Sequence, residues 1–488
     1  MRAQELLATL SLILFYTSIP LLIPLAYANY YGESSFDSIG FVILIMMFPS
    51  IPVFIPGIFK SILSFFSSIF NFLFRREVHY NYALEILTKR PQLSELRFGD
   101  ILAISAISWI LIPLVTAYPY YVAGMSPTDS IFESMSGWTS TGLSVITSFE
   151  NISNSLILFR SITQWVGGLG IILLMLSFLR HHQGKSLLAF EAKNPMELGV
   201  KNTASKIWQI YIVLTIISIG LLYFVGFDFF NSINLGFAGI SNGGFFPFES
   251  YDLVWIQKLI LAFTMFIGAV SFVTHNKVLG GHLGALLSQE FLLFVSLIVI
   301  GAGLITFVGH DEFHNTILNT VSASACGGFA IGDLSVLHEF SIYVLIILMV
   351  CGGMYGSTTG GLKLWRILVA LKVIWSRIRA YFVPSGTVQI ITLEKNPVSD
   401  SVITEVLGFI FLYLAIFLIC AGVFMAWGMG IVDSMFTVAS ALGNVGLSTI
   451  SIPILPLHSK MFLVLIMYIG RIEILPVLAM IRFIVDRR

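Results

Sequence analysis

Charge is what this chain has least of. Only 11% of its 488 residues are Asp, Glu, Lys or Arg, against about 25% in soluble domains, so it cannot clothe a globular surface in charge. Cysteine is scarce too. Cys326, Cys351 and Cys420 are odd in number, form no CxxC pair and sit in apolar or Gly-rich runs, which excludes a disulfide framework and favours structural thiols. Lys+Arg and Asp+Glu are 26 each, leaving no electrostatic footprint for nucleic acid. There is no P-loop, no GxGxxG after a strand and no HExxH, so the chain is not read as an enzyme. The His181-His182 pair lies in a basic stretch, where solvated side chains explain it better than metal ligation.

Apolar residues fill the space that charge leaves. They make up 57% of the chain, and the mean hydropathy is +0.92. Ten apolar runs approach or exceed the ~20 residues that cross a bilayer as helix: 6–32, 38–59, 101–128, 161–179, 207–227, 259–276, 291–309, 340–362, 406–432 and 461–481. Lipid cannot satisfy an open sheet edge, and the alternation of a membrane barrel is absent, so the predicted class is an all-α integral membrane protein. Lys and Arg concentrate at the N-terminus, in 59–98, 180–206 and 363–395, and in the C-terminal tail. The alternate loops are acidic, which predicts cytoplasmic termini. Arg2, the first apolar run and Ala26-Tyr27-Ala28 also fit a cleavable signal, but the run exceeds the usual 7–15 residues, which favours a retained helix.

Four outside loops repeat one pattern without gaps: DSIFESMSGWTSTGLS (129–144), NSINLGFAGISNGGFF (231–246), NTILNTVSASACGGFA (315–330) and DSMFTVASALGNVGLS (433–448). Each has Asp or Asn at its head (Asp129, Asn231, Asn315, Asp433) and glycine at the same later position (Gly142, Gly244, Gly328, Gly446). The expected boundaries are two N-terminal helices and a cytoplasmic loop over 1–97, then repeats at 98–182, 183–282, 283–380 and 381–488. The head residue suits an N-cap. About eleven helical residues span about 17 Å, half a bilayer, so each segment must enter and turn back. Glycine then supplies a positive φ, and the helix aims its negative end at the membrane centre, where a cation would rest. Recurring polar turns are the plain alternative for any one loop. Four at one spacing, on one side, describe a cation filter around a single pore.

Two further stretches stand out. Five glycines and Ser-Thr-Thr interrupt the run at 352–361, where the cluster should unwind the helix, unless it serves a close helix contact. Arg471 and Glu473 lie inside the last run, at a depth where a charge faces a cavity or a partner; two apart on a helix, they do not face each other.

These residues carry a family resemblance. Phe132-Glu133-Ser134, Ser140-Thr141-Gly142-Leu143-Ser144, the stretch Arg160 to Gly170 (RSITQWVGGLG), the stretch Gly352 to Lys363 (GGMYGSTTGGLK) and Gly470-Arg471-Ile472-Glu473 resemble the Trk/Ktr/HKT superfamily of potassium transporters. The two extra N-terminal helices favour its TrkH type. The resemblance implies one filter glycine per repeat, Gly142, Gly244, Gly328 and Gly446. It places the coordinating carbonyls at Thr141, Gly243, Gly327 and Val445, with Ser140, Asn242, Cys326 and Asn444 beside them. It implies a gate of Gly352, Gly353, Gly356, Ser357, Thr358, Thr359, Gly360, Gly361 and Lys363 under the filter, with Arg471 facing the pore. K+ would be the transported ion, with Rb+ accepted and Na+ partly excluded, and no organic cofactor. A homodimer in a bacterial or archaeal cell membrane, docked on a cytoplasmic nucleotide-binding TrkA-like ring, is the expected assembly. A sodium-coupled or sodium-permeable member of the superfamily is the second reading. A proton-coupled antiporter subunit is a distant third, because it needs more mid-membrane charges.

Overall fold

The structure is a computed structural model that describes residues 3–50, 98–179, 200–248, 253–310, 313–384, 390–394 and 396–485. Nine of the basic residues expected to face the cytoplasm, those in 59–97 and 180–199, fall outside the described residues, as does the His181-His182 pair. The fold is mostly helical, at 74% helix. Among the described residues, four helical spans are long and apolar enough to cross a membrane, 99–122, 204–224, 289–308 and 400–426; counting each bent pair as one span raises the number to at most seven.

The chain folds into two compact units. The first holds α1 (Ala3–Ser18), α2 (Leu22–Tyr31), α3 (Ser35–Met47), α4 (Phe98–Thr116) and α5 (Tyr118–Val122). The expected single span 6–32 is a pair bent by 42°, because Pro20 sits in the break and offers no N–H to continue the ladder. Ala28 of the signal-like triplet is fully buried inside α2. Leu10 of α1 packs against Ile104 of α4, and Glu33 accepts the Ser155 N–H at 2.8 Å.

The second unit contains the four loops apart from Asp129 and Ser130, which, like Ser153–Phe159, belong to the first. Each opens with a short helix: α6 (Pro127–Trp138), α9 (Phe229–Ile240), α13 (Phe313–Ala325) and α17 (Ile431–Leu442). Between them run α7 (Asn154–Leu179), α8 (Val200–Phe224), α10 (Trp255–Ala269), α11 (Phe272–Leu279), α12 (Gln289–Val308), α14 (Glu339–Cys351), α15 (Leu364–Ala380) and α16 (Asp400–Ala426). After α17 come α18 (Leu457–Ile472) and α19 (Ile474–Val485), the last almost wholly in the first unit. At 1.5 Å per residue the short helices are about 18–20 Å long, half a bilayer.

The head residues are not N-caps. Asp129, Asn231, Asn315 and Asp433 are each the third residue of their helix, three positions past the N-cap site that the sequence suggested for them. Asp228 caps α9 instead, accepting from Asn231 N at 3.2 Å. In α6, Ser126 accepts from Asp129 N at 3.1 Å while its hydroxyl donates to the Asp129 carboxylate at 2.8 Å, a reciprocal cap. An acidic or amide side chain is also stable in a first turn, which is why either register reads the same in sequence.

The second helices hold the larger surprise. Gly268, Gly352 and Gly470 each stand 24 residues after the glycine of their own loop, and Gly167 stands 25 after Gly142. A Cβ on Gly167, Gly268 or Gly470 would collide with the last carbonyls of a short helix: Trp138 O, Ile240 O and Leu442 O. Three of the four second helices break within three residues of this glycine. The expected span 259–276 turns by 100° between Ala269 and Phe272. The run 340–362 leaves the helix at Gly352 (φ +68), as the glycine cluster led us to expect. The run 461–481 breaks at Glu473, with φ +62, so Glu473 lies outside the helix that ends beside Arg471.

Candidate functional site

Each short helix ends in the same hydrogen-bonded turn. Thr141, Gly243, Gly327 and Val445 donate N–H to Ser136 O, Ala238 O, Ser322 O and Ser440 O at 2.7–2.9 Å. The residue before each donates three back, to Gly137 O, Gly239 O, Ala323 O and Ala441 O at 3.0–3.4 Å. These paired bonds form a Schellman motif, whose pivot residue is left-handed and is usually glycine. Here the pivots are Ser140, Asn242, Cys326 and Asn444, at φ +50 to +53. The left-handed conformation costs an L-residue about 1–2 kcal/mol, least for Asn. Three pivot side chains are tied down behind the turn: Ser140 Oγ donates to Gln164 O (2.9 Å), Asn242 Nδ2 to Thr358 Oγ1 (2.9 Å) and Asn444 Nδ2 to Met467 O (2.9 Å). The sequence reading named these four residues beside the carbonyls but gave the left-handed turn to the glycines alone, although Asn at two of four helix ends was a legible signal.

The glycines follow two residues later, at φ +90 (Gly142), +78 (Gly244), +73 (Gly328) and +99 (Gly446). Their packing closes a circle. A Cβ on Gly142 would strike Gly243 O; on Gly244 it would come near Gly327 O; on Gly328, Val445 O; and on Gly446, Thr141 O. Each glycine therefore sits against the carbonyl preceding its neighbour's glycine, and the fourth returns to the first. Eight of the twelve expected filter residues thus meet in one ring, the four pivots directly precede them in the chain, and Asn444 Nδ2 also reaches Thr141 Oγ1 across a seam of the ring at 3.0 Å. Such a ring brings four backbone carbonyls together and admits no side chain between the glycines and them.

Behind the ring lies a buried ion pair whose role the sequence reading did not assign. Glu133 is fully buried and accepts from Arg160 Nη2 (2.6 Å) and Nε (2.9 Å), from Val145 N (3.0 Å) and from Ser144 Oγ (3.0 Å). Arg160 also donates to Phe246 O at 3.2 Å and lies 4.1 Å from the Phe245 ring centroid, so the pair joins the first loop to the second. In the third loop Asn319 does the equivalent work without charge, exchanging two hydrogen bonds with the Ile331 main chain at 3.1 and 3.3 Å. The second loop carries Leu235 and Pro247 at these places, so neither acceptor nor donor is left over.

The stretch 352–363 is non-helical and buried except at the half-buried Tyr355 and Gly356, and it packs against the ends of two short helices. It supplies the bonds that the bent helices lack: Met354 N donates to Ala269 O (3.1 Å), and Gly356 O accepts from Phe272 N (3.1 Å). Thr358 Oγ1 donates to Gly268 O (3.0 Å) and lies 3.2 Å from Ile240 O, and a Cβ on Gly360 would meet Gly443 O. Ser357 bonds Met354 O (2.6 Å), while Lys363 is buried and bonds both Thr359 oxygens. Arg471 donates Nη1 to Thr358 O (3.0 Å) and Nη2 to Gly167 O (2.7 Å). The guanidinium therefore bridges the unwound stretch to α7. Glu473 faces away and makes a two-point pair with Arg366 at 2.9 and 3.2 Å, with Arg366 3.9 Å from the Phe409 ring centroid. The two charges of the last run do not pair with each other, as expected, but each has found main-chain or ionic partners.

The model of the TrkH cation transport protein family matches residues 83–282 and 282–486. The chain belongs to this family. It is 29% identical over 478 residues to an uncharacterized cation transporter of Methanocaldococcus jannaschii, covering 94% of this chain and 91% of that one. It is 28% identical to the Trk system potassium uptake protein TrkH of Halomonas elongata (82% and 88% covered) and 26% identical to that of Escherichia coli (80% and 86%). The crystal structure of the potassium transporter TrkH from Vibrio parahaemolyticus superposes with a TM-score of 0.82 over 98% of both chains at 23% identity, a likeness of fold. Family membership makes this chain a multi-pass membrane transporter rather than an enzyme.

Proposed function

We propose that this protein takes up K+ through the ring of Gly142, Gly244, Gly328 and Gly446, in a pore of four helix–loop–helix repeats preceded by two helices, about ten spans in all. One observation carries the reading: four loops with one turn geometry abut in a closed circle, so Thr141, Gly243, Gly327 and Val445 can offer carbonyls to one dehydrated cation. The potassium uptake named for the Halomonas and Escherichia relatives points to the same ion. The stretch 352–363, with Gly352, Gly353, Gly356, Gly361 and Lys363, then acts as a gate, and Arg471 both pins Thr358 and places a fixed positive charge below the ring. Both termini face the cytoplasm, and a homodimer with a TrkA-like nucleotide-binding regulator is the working assembly. Four unequal loops predict moderate discrimination.

Purified protein in liposomes should show saturable Rb+ uptake, with Na+ entering more slowly. Equal rates for Na+ and Rb+ would instead support the sodium-permeable reading.

A further inference from the structure

The Gln164 side chain on α7 meets the second loop at the ring, through a carboxamide contact made to none of the other three loops among the described residues. Its Oε1 accepts from Phe245 N at 3.2 Å, and its Nε2 donates to Gly243 O. A backbone N–H can only donate, so Oε1 must face Phe245 and the amide N–H₂ must face the carbonyl. The carboxamide therefore staples the second loop on both sides of Gly244. The fit is close: a Cβ on Gly243 would overlap the Gln164 side chain. Gly243 is not at positive φ, so its glycine is explained by this contact and not by backbone geometry. Gln164 is fully buried, and its own main-chain oxygen holds Ser140 Oγ, the pivot of the first loop, at 2.9 Å.

Among the described residues, Gly243 O is the one member of the carbonyl set Thr141, Gly243, Gly327 and Val445 that accepts a side-chain hydrogen bond. An oxygen that already accepts an N–H has less charge to offer a cation and less freedom to move toward a smaller one. We infer that Gln164 is a specificity-setting positioning residue: it holds Gly243 O in place and weakens it as a ligand, making the second loop the asymmetric quarter of the filter. The inference rests on the K+-filter reading above.

The test compares Gln164→Met, which keeps length and volume but loses both bonds, with Gln164→Glu, which keeps an acceptor for Phe245 N. One hydrogen bond of ordinary worth, about 0.5–1.5 kcal/mol, corresponds to about a two- to tenfold change in equilibrium. In proteoliposomes, Gln164→Met should lower the Rb+/Na+ permeability ratio by that factor while maximal Rb+ flux changes less. Gln164→Glu, with a charge beside Gly243 O, should lower the KM for Rb+. A merely structural role would reduce flux of both ions in proportion and leave ratio and KM unaltered. That result, in variants that remain monodisperse, overturns the proposal; if Gln164→Met fails to fold, the KM of Gln164→Glu decides. Wild-type protein that moves Rb+ selectively, beside unaltered variants, sinks the role of Gln164 alone. Wild-type protein that moves neither ion sinks the filter reading and this inference with it.

Discussion

Glu133→Gln should cost about 3–5 kcal/mol of stability, because it leaves the Arg160 guanidinium buried without its counter-charge. Both side chains are almost wholly buried, and the carboxylate also takes the Val145 N–H and the Ser144 hydroxyl. A Gln oxygen can keep one or two of these bonds but cannot neutralise the cation. Since folded proteins have only about 5–15 kcal/mol in hand, expression and melting temperature in detergent should both fall sharply. Removing both charges should hurt less than removing one. Glu133→Leu combined with Arg160→Met should recover much of the loss, and the double-mutant cycle would give the coupling energy. A single variant with wild-type melting behaviour would mean that the pair contributes nothing to the loops it joins.

Arg471→Gln should raise flux by more than tenfold. A unit charge about 8 Å from the ion path contributes about 2 kcal/mol at an effective dielectric near 20, and each 1.36 kcal/mol of barrier is a factor of ten. The structure adds a second route to the same outcome, because the Arg471 bond to Thr358 O pins the unwound stretch. Glutamine can replace one of the two carbonyl contacts, so the loss of stability should be modest. A folded variant with unchanged or lower flux would reduce Arg471 to a tie between α7 and the stretch.

Much of this was legible in the chain because it is local. Composition dictated membrane helices, four equal spacings dictated four equivalent turns, and the glycine cluster at 352–361 dictated a break. What the sequence did not disclose depends on approach between segments far apart in the chain. Helix α10 breaks at Val270-Ser271 without a proline, and the break is stable because the distant stretch 352–361 replaces its hydrogen bonds. Glu473 looked like a residue inside a span, but Arg366, far back in the chain, holds it at the end of α18. Gln164 was visible only as one letter of a family motif, since its partner Gly243 lies in another repeat. The pivots Ser140 and Cys326 were hidden for a different reason: neither residue type advertises a left-handed turn, and only the tertiary ring makes that conformation worth its cost.

The central claim is that the four glycines form the selective passage, and Gly446→Ser tests it most directly. Gly446 has φ +99 and its Cβ would strike Thr141 O, so the substitution both strains the fourth turn and displaces the Thr141 carbonyl of the first. The measurement is the Rb+/Na+ permeability ratio of the reconstituted variant against wild type. The account predicts a ratio that falls more than the total flux does; an unaltered ratio in a folded, conducting variant would contradict it.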